Sequence, residues 1–226
     1  MRLRLTRKFA EAGNAKSFRF RPERPLSWQA GQYLKYTLPH EHPDDQGTSR
    51  YFTIASAPYE GEVQITTRIS QSSFKRALDA LEPDDGIEAE GPSGDFVWRE
   101  AEVPHSWIAA GIGITPFHSI LAERIHRGLP LPVRLLYANR DEKVIFRETL
   151  EAWAGARAAF ELQFVISERL GAELIRERLG GLERGLVYLS GPEPMVEAIG
   201  AALIDTGLDE DRLQRDWFPG YTETTY

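Results

Sequence analysis

The sequence predicts two domains in succession: an N-terminal antiparallel β-barrel over residues 1–101, then an α/β domain with a parallel sheet over residues 102–226. Two observations predict this. The first hundred residues alternate apolar and polar side chains with period two, as strands with one face on a core require. Beyond them stand near-continuous apolar runs, separated by amphipathic stretches of helical period. That order implies strands buried on both faces, parallel pairing and right-handed crossovers. The grammar changes near WREAEVPH (98–105), and there is no internal repeat or low-complexity segment.

The elements follow in order. RLRL (2–5), KSFRFR (16–21), YLKYTL (33–38), RYFTIAS (50–56) and EVQITTRI (62–69) read as barrel strands, with Pro, Gly and Asp clusters between them. PHEHPDDQGTS (39–49) is a polar loop; its His40, Glu41 and His42 have no further histidine nearby, so no metal site is assigned. In SSFKRALDAL (72–81), Phe74, Ala77, Leu78 and Leu81 share one helical face. WIAAGIGI, VRLLYAN, LQFVIS and LVYLSG are the strands of the second domain. Its helices are expected over 116–127, 146–158, 172–179 and 194–206.

Composition excludes several classes. Cysteine is absent, which removes disulfides, a cysteine nucleophile, cysteine-ligated zinc and a cysteine-bound iron–sulfur cluster. An electron carrier held here would be organic, or a haem without cysteine ligation. The net charge of −7 argues against a general nucleic-acid binder. No apolar run is long enough to span a bilayer and the start lacks the pattern of a secretory signal, so a cytoplasmic location is expected. Charge is uneven: residues 1–24 carry +6 and the remainder −13. Arginines alternating with apolar residues describe a solvated strand face; the same residues would also make a basic docking face for an acidic partner.

Two glycine turns point to phosphate. In IAAGIGITPFHSILAER a strand, a turn with Gly111 and Gly113, and a helix succeed one another, so that backbone can approach an anion at the positive end of the helix. Thr115 offers a hydroxyl and Pro116 suits the first helical turn. In YLSGPEPMVEAI, Gly191 and Pro192 turn the chain at the end of another strand, and Pro194 and Met195 begin the next helix. Both turns fall at the carboxyl ends of parallel strands, where open sheets bind ligands.

RYFTIAS, SSFKRAL, GPSGDF, AAGIGITP and SGPEPM, in that order and with AGQYL (30–34) before them, resemble the ferredoxin–NADP reductase superfamily over essentially the whole chain. The resemblance implies a flavin-binding barrel and an NAD(P)H-binding α/β domain. It places Arg50 on flavin phosphate, Phe52 where the family has tyrosine, Thr53 beside the flavin ring, and Ser72 and Ser73 at a helix start that receives the pyrophosphate and whose amides they would also cap. Tyr51, between them, is counted with the cofactor-binding stretch, with the barrel core as the other place for its ring. The glycines of GPSGDF are taken as structural. Ser190 stands where family members often carry cysteine near the nicotinamide. Asn139 and Arg140, with Ser167 and Arg169, are the candidate holders of the adenosine ribose, with NADPH preferred over NADH; Glu168 beside them would instead suit NADH. Tyr226 occupies the position of a terminal ring over the flavin, with Glu223 as a nearby acid and Tyr221 as a competing ring; a frayed tail is the other reading.

The resulting expectation is a flavin-dependent NAD(P)H oxidoreductase with FAD, or alternatively FMN. It passes hydride to flavin and electrons to a separate acceptor, such as an acidic ferredoxin or flavodoxin docking on the N-terminal segment. A reductase using flavin as a diffusing substrate, and a nucleotide-binding electron-transfer subunit of a larger complex, are the alternatives. His118 is read as structural.

Overall fold

The computed structural model describes residues 1–218. Its first sheet has six strands, β1 (Arg2–Ala10), β2 (Ala15–Pro22), β3 (Tyr33–Thr37), β4 (Ser49–Thr53), β5 (Val63–Arg68) and β6 (Gly86–Ser93). They run in the order β4-β3-β6-β1-β2-β5 with antiparallel pairing. The sheet curls until the chain leaving β4 meets β5, where the Ala55 amide donates to Gln64 O at 2.8 Å. Alternation sets the interior: Leu3, Leu5, Phe18, Phe20, Leu34, Tyr36, Val63 and Ile65 are buried, while Arg2, Arg4 and Arg7 face water. Helix α1 (Ser73–Ala80) packs Phe74 and Leu78, four residues apart, into this core. Pro83 then disfavours helical backbone just beyond it.

The N-terminal charge is partly met within the chain. Arg4 pairs with Glu23 at 2.8 Å, Lys8 with Glu82 at 3.1 Å, Lys16 with Asp79 at 2.6 Å and Arg19 with Glu60 at 2.6 Å. Glu23 is already counted in that segment's +6; Glu60, Asp79 and Glu82, supplied by later segments, offset three more of its cations.

The second sheet is parallel: β7 (His105–Ala110), β8 (Val133–Asn139), β9 (Phe160–Ile166), β10 (Leu186–Pro192) and β11 (Leu213–Phe218), ordered β11-β10-β7-β8-β9. Helices α2 (Ile114–His126) and α3 (Arg147–Gly155) contribute Phe117, Leu121 and Leu150 to a core on one face, with Trp107 and Tyr137 from the strands. On the other face, α4 (Ala172–Leu179) and α5 (Glu193–Asp205) bring Ile175, Val196 and Leu203 against Ile108 and Leu136. Each such side chain contributes about 1.5–3 kcal/mol by leaving water. The sequence reading ended the sheet at β10. Strand β11 escapes it because LQRDWF is an edge strand with polar residues inside it and no continuous apolar run. Strand β9, at the other edge, is only half-buried in its middle.

Strand order reverses between β7 and β10, which opens a crevice at their carboxyl ends. The two halves are stitched just beside it. His118 Nδ1 donates to Ala55 O at 2.8 Å, Ser119 Oγ donates to Ser56 O at 2.7 Å, and Tyr59 stacks on His126 at 3.8 Å. His118 is therefore a structural bridge between the barrel and α2. Among the described residues no helix is long and apolar enough to cross a membrane, and no group of three or more His, Asp or Glu is arranged to hold a metal.

Candidate functional site

A cavity of about 330 Å³ lies between the sheets, lined by Tyr33, Tyr51, Thr53, Gly94 and Asp95 from the barrel and Arg215, Asp216 and Trp217 from β11. Register builds its barrel wall: Tyr33 pairs with Thr53 across β3 and β4, and the Tyr33 and Tyr51 rings meet edge-on at 5.7 Å. The parity of β4 decides between the two places for the Tyr51 ring. Tyr51 is 56% exposed and lines the cavity, whereas Phe52 is 7% exposed and packs between Tyr36 and Phe74. Successive side chains of a strand point to opposite faces, so the ring at the cavity is that of Tyr51. Gly94 of GPSGDF lines the cavity, and a side chain there would press on the Tyr33 ring at 2.9 Å.

At the junction with the second domain, Ser190 Oγ donates to Asp216 Oδ2 at 3.1 Å across β10 and β11. Burial in the cleft, with repulsion from Asp95, pushes the Asp216 carboxyl up to about 7 against the opposing Ser190 bond. Asp216 therefore exchanges a proton near neutrality. No sequence motif marks it or Trp217.

The expected phosphate donors are brought together, and they are already engaged. Arg50 Nη2 meets Asp44 Oδ1 at 2.6 Å, and Nη1 donates to the carbonyls of Gln46, Gly47 and Ser49 at 2.9, 3.0 and 2.8 Å. Ser72 and Ser73 do not cap α1 as expected. Instead Asp44 Oδ2 accepts from the Ser73 amide at 2.9 Å and from Ser72 Oγ at 3.3 Å. Burial would raise this carboxyl, but the Ser73 amide, the Arg50 guanidinium and the Ser73 hydroxyl hold it well below the usual carboxylate range.

A second cleft of about 370 Å³ opens at the sheet's switch point. Gly111, Asn139, Arg140, Ser167, Arg169 and Met195 are among its lining residues, as are Arg68, Glu168 and Pro194. Asn139 is buried, and its side-chain amide has no hydrogen-bond partner within the protein. Ser167 adopts left-handed backbone (φ 58°) and donates to Arg140 O at 2.9 Å, which ties the two strand ends together. The remaining turn residues stand behind the cleft. Thr115 is buried and donates to Ile112 O at 3.1 Å. Pro116, Gly191 and Pro192 are buried as well. Gly113 is required for packing: a Cβ there would strike the Ser190 carbonyl and lie 2.7 Å from Gly191 Cα. Tyr221, Glu223 and Tyr226 lie outside the described residues.

The fold agrees with comparisons to known proteins. Residues 2–98 match the oxidoreductase FAD-binding domain and residues 107–200 the oxidoreductase NAD-binding domain. A flavohemoprotein of Pseudomonas aeruginosa is 28% identical over 96% of this chain and 58% of its own length. Ferredoxin–NADP reductase B of Sorangium cellulosum is 29% identical over 77% of this chain and 69% of its own, and the NAD(P)H-flavin reductase of Vibrio harveyi 29% over 78% and 80%. Among solved structures, the FAD/NAD-binding domain of nitric oxide dioxygenase from Vibrio cholerae superposes with a TM-score of 0.82 at 23% identity, covering 96% of this chain and 98% of that one. The chain belongs to the ferredoxin–NADP reductase superfamily. It spans 58% of the flavohemoprotein and 59% of the toluate 1,2-dioxygenase electron transfer component of Pseudomonas putida, another relative.

The residues fit these groups unequally. The switch-point cleft suits a nicotinamide nucleotide, with an unpartnered amide, three guanidiniums and the Gly111 turn at a strand end. The inter-sheet cavity suits a planar ring, with aromatic side chains and the Thr53 hydroxyl on its walls. At the residues expected to hold flavin phosphate, the Asp44 carboxylate already occupies the donors.

Proposed function

We propose that the chain is an NAD(P)H-dependent flavoprotein oxidoreductase that holds a flavin ring in the inter-sheet cavity and NAD(P)H in the switch-point cleft. The observation that carries this is the Ser190–Asp216 hydrogen bond, which joins the strand beside the nucleotide turns to the wall of the ring cavity. The bound pair would supply hydride transfer from nicotinamide C4 to flavin N5. The chain's own task is orientation and polarity. Tyr51 and Trp217, exposed at the cavity, offer apolar faces to a planar ring. Thr53 offers a hydroxyl at the wall, Ser190 orients Asp216, and Asp216 holds or releases a proton near neutral pH.

Arg140 and Arg169 set two cations against Glu168 at the ribose end, and this favours NADPH. Electrons then leave to a separate acceptor, a ferredoxin or flavodoxin being the class expected. The N-terminal strands offer it a surface, though one whose Arg4, Lys8, Lys16 and Arg19 already have acidic partners. The carboxylate on the phosphate donors favours a second reading, in which flavin is a diffusing substrate. Visible spectra of the purified protein, recorded without oxygen before and after NADPH or NADH, test the proposal. Bleaching of bound or added flavin, faster with NADPH, is expected; no flavin uptake and no NAD(P)H oxidation with any added flavin would end it.

A further inference from the structure

We infer that Asp44 is a built-in counter-anion that takes the place of flavin phosphate, so that this site recognises flavins by ring and side chain and discriminates little for their phosphate. The inference rests on the flavin reading above. Arg50 is three residues along β4 from Thr53, about 10 Å of strand from the ring cavity. Its guanidinium lies over the Phe74 ring, on the Phe52 side of the strand, and the flavin reading assigns it to the phosphate end of the cofactor. An anion is in fact bound there, and it belongs to the protein.

The occupation is thorough. One Asp44 oxygen takes Arg50 Nη2 at 2.6 Å and the Gln46 amide at 3.1 Å. The other takes the Ser73 amide at 2.9 Å and Ser72 Oγ at 3.3 Å. The Asp44 amide in turn donates to Ser73 Oγ at 2.9 Å, and His40 Nε2 meets that same hydroxyl at 2.9 Å. His40 Nδ1 donates to Leu38 O at 2.7 Å. Loop 39–49 is thereby fastened over the helix start by both its backbone and its carboxylate. An arriving phosphate finds the guanidinium neutralised, the first amide of α1 taken, and a negative charge facing it. Riboflavin meets none of these obstacles. FMN or FAD binds either with its phosphate left in water or by displacing Asp44. The low proton affinity of this carboxylate leaves it charged under ordinary conditions, so acid does not readily clear the site.

The test is fluorescence titration of the flavin-free protein with riboflavin and with FMN. In the wild type, FMN is expected to bind no more than about threefold tighter than riboflavin. Asp44→Asn keeps the shape and removes the charge; it is expected to tighten FMN by about tenfold or more, since like charges about 4 Å apart repel strongly at a protein surface, and to leave riboflavin within about twofold. Asp44→Asn combined with Arg50→Gln is expected to lose the FMN gain, because the freed cation is gone. Wild-type FMN binding more than tenfold tighter than riboflavin overturns the inference without any variant. So does an unchanged FMN-to-riboflavin ratio in Asp44→Asn, or a gain that survives in the double variant, which would assign it to a loosened loop. Failure of every flavin to bind every form would instead remove the flavin reading itself.

Discussion

His105 begins β7 with its ring buried among aromatic neighbours. It stacks on Trp98 at 4.0 Å and lies parallel to Tyr188 at 5.4 Å. Arg124 covers the other part of this cluster, 3.6 Å over Trp98, and is paired to Glu100 at 3.0 Å. Neither imidazole nitrogen has a hydrogen-bond partner. Burial, then repulsion from Arg124 and Arg99 against the attraction of Glu100, lowers this imidazole from 6.5 to about 4. The unfolded chain is then the better proton binder between those values, so the contribution of His105 is complete above about pH 6.5 and is lost as pH falls toward about 4. Between about pH 7.5 and about pH 5 this one group removes about 2 kcal/mol of folding stability. His105→Phe keeps a flat ring in the stack and removes the titration. Urea unfolding of both proteins at the two pH values, followed by tryptophan fluorescence, isolates the effect. Any steric cost of phenylalanine is the same at both pH values and cancels in the double difference. The wild type is expected to lose about 2 kcal/mol more than the variant. Equal losses would refute the assignment of acid sensitivity to this ring, and with it the view that the cluster holds His105 neutral.

Two further outcomes bear on the site. Gly113→Ala would drive a methyl group into the Ser190 carbonyl and the Gly191 backbone, both of which are strand and cannot swing aside. A loss of about 3 kcal/mol or more, with weakened nicotinamide nucleotide binding, is expected from urea unfolding and nucleotide titration; an unperturbed protein would show that β10 yields freely. For Asp216, folding raises the carboxyl from 3.8 to about 7, so the folded state binds the proton more tightly and stability is lost as pH rises through about 7. Asp216→Asn should therefore gain about 1 kcal/mol or more on the wild type between about pH 5.5 and about pH 8.5, after allowance for the screening of a half-buried group. Parallel pH profiles of Tm would remove Asp216 as the near-neutral titrating group.

Local pattern made much of this molecule legible. Residues that recur with period two or with helical period do so because adjacent side chains of one element must share a face, and that is a property of a few neighbours. Five barrel strands, the helices α1 to α5 and the two glycine turns at strand ends are visible on this basis; β6, GIEAEGPS, is not, because Gly and Pro break its alternation. The order of the motifs also identified the superfamily. What stayed hidden depends on which surface lies opposite. Which of Tyr51 and Phe52 faces the cavity is a matter of sheet parity, and a shift of one residue exchanges them. LQRDWF carries too few apolar residues to announce a strand, because an edge strand covers little core; its pairing with β10 is what brings Asp216 to Ser190.

The sequence by itself determined the two-domain architecture, the class of cofactors expected and the cations available to hold them, since each rests on composition, spacing or motif order. Only the tertiary structure decided what those cations hold. Arg50 was read as a ligand for phosphate, and folding sets Asp44 of the preceding loop against it. The N-terminal arginines and lysines were read as a basic face, and folding sets Glu23, Asp79, Glu82 and Glu60 against four of them. Electrostatic interaction depends on separation in space and on the dielectric between the charges, and neither quantity is written along the chain.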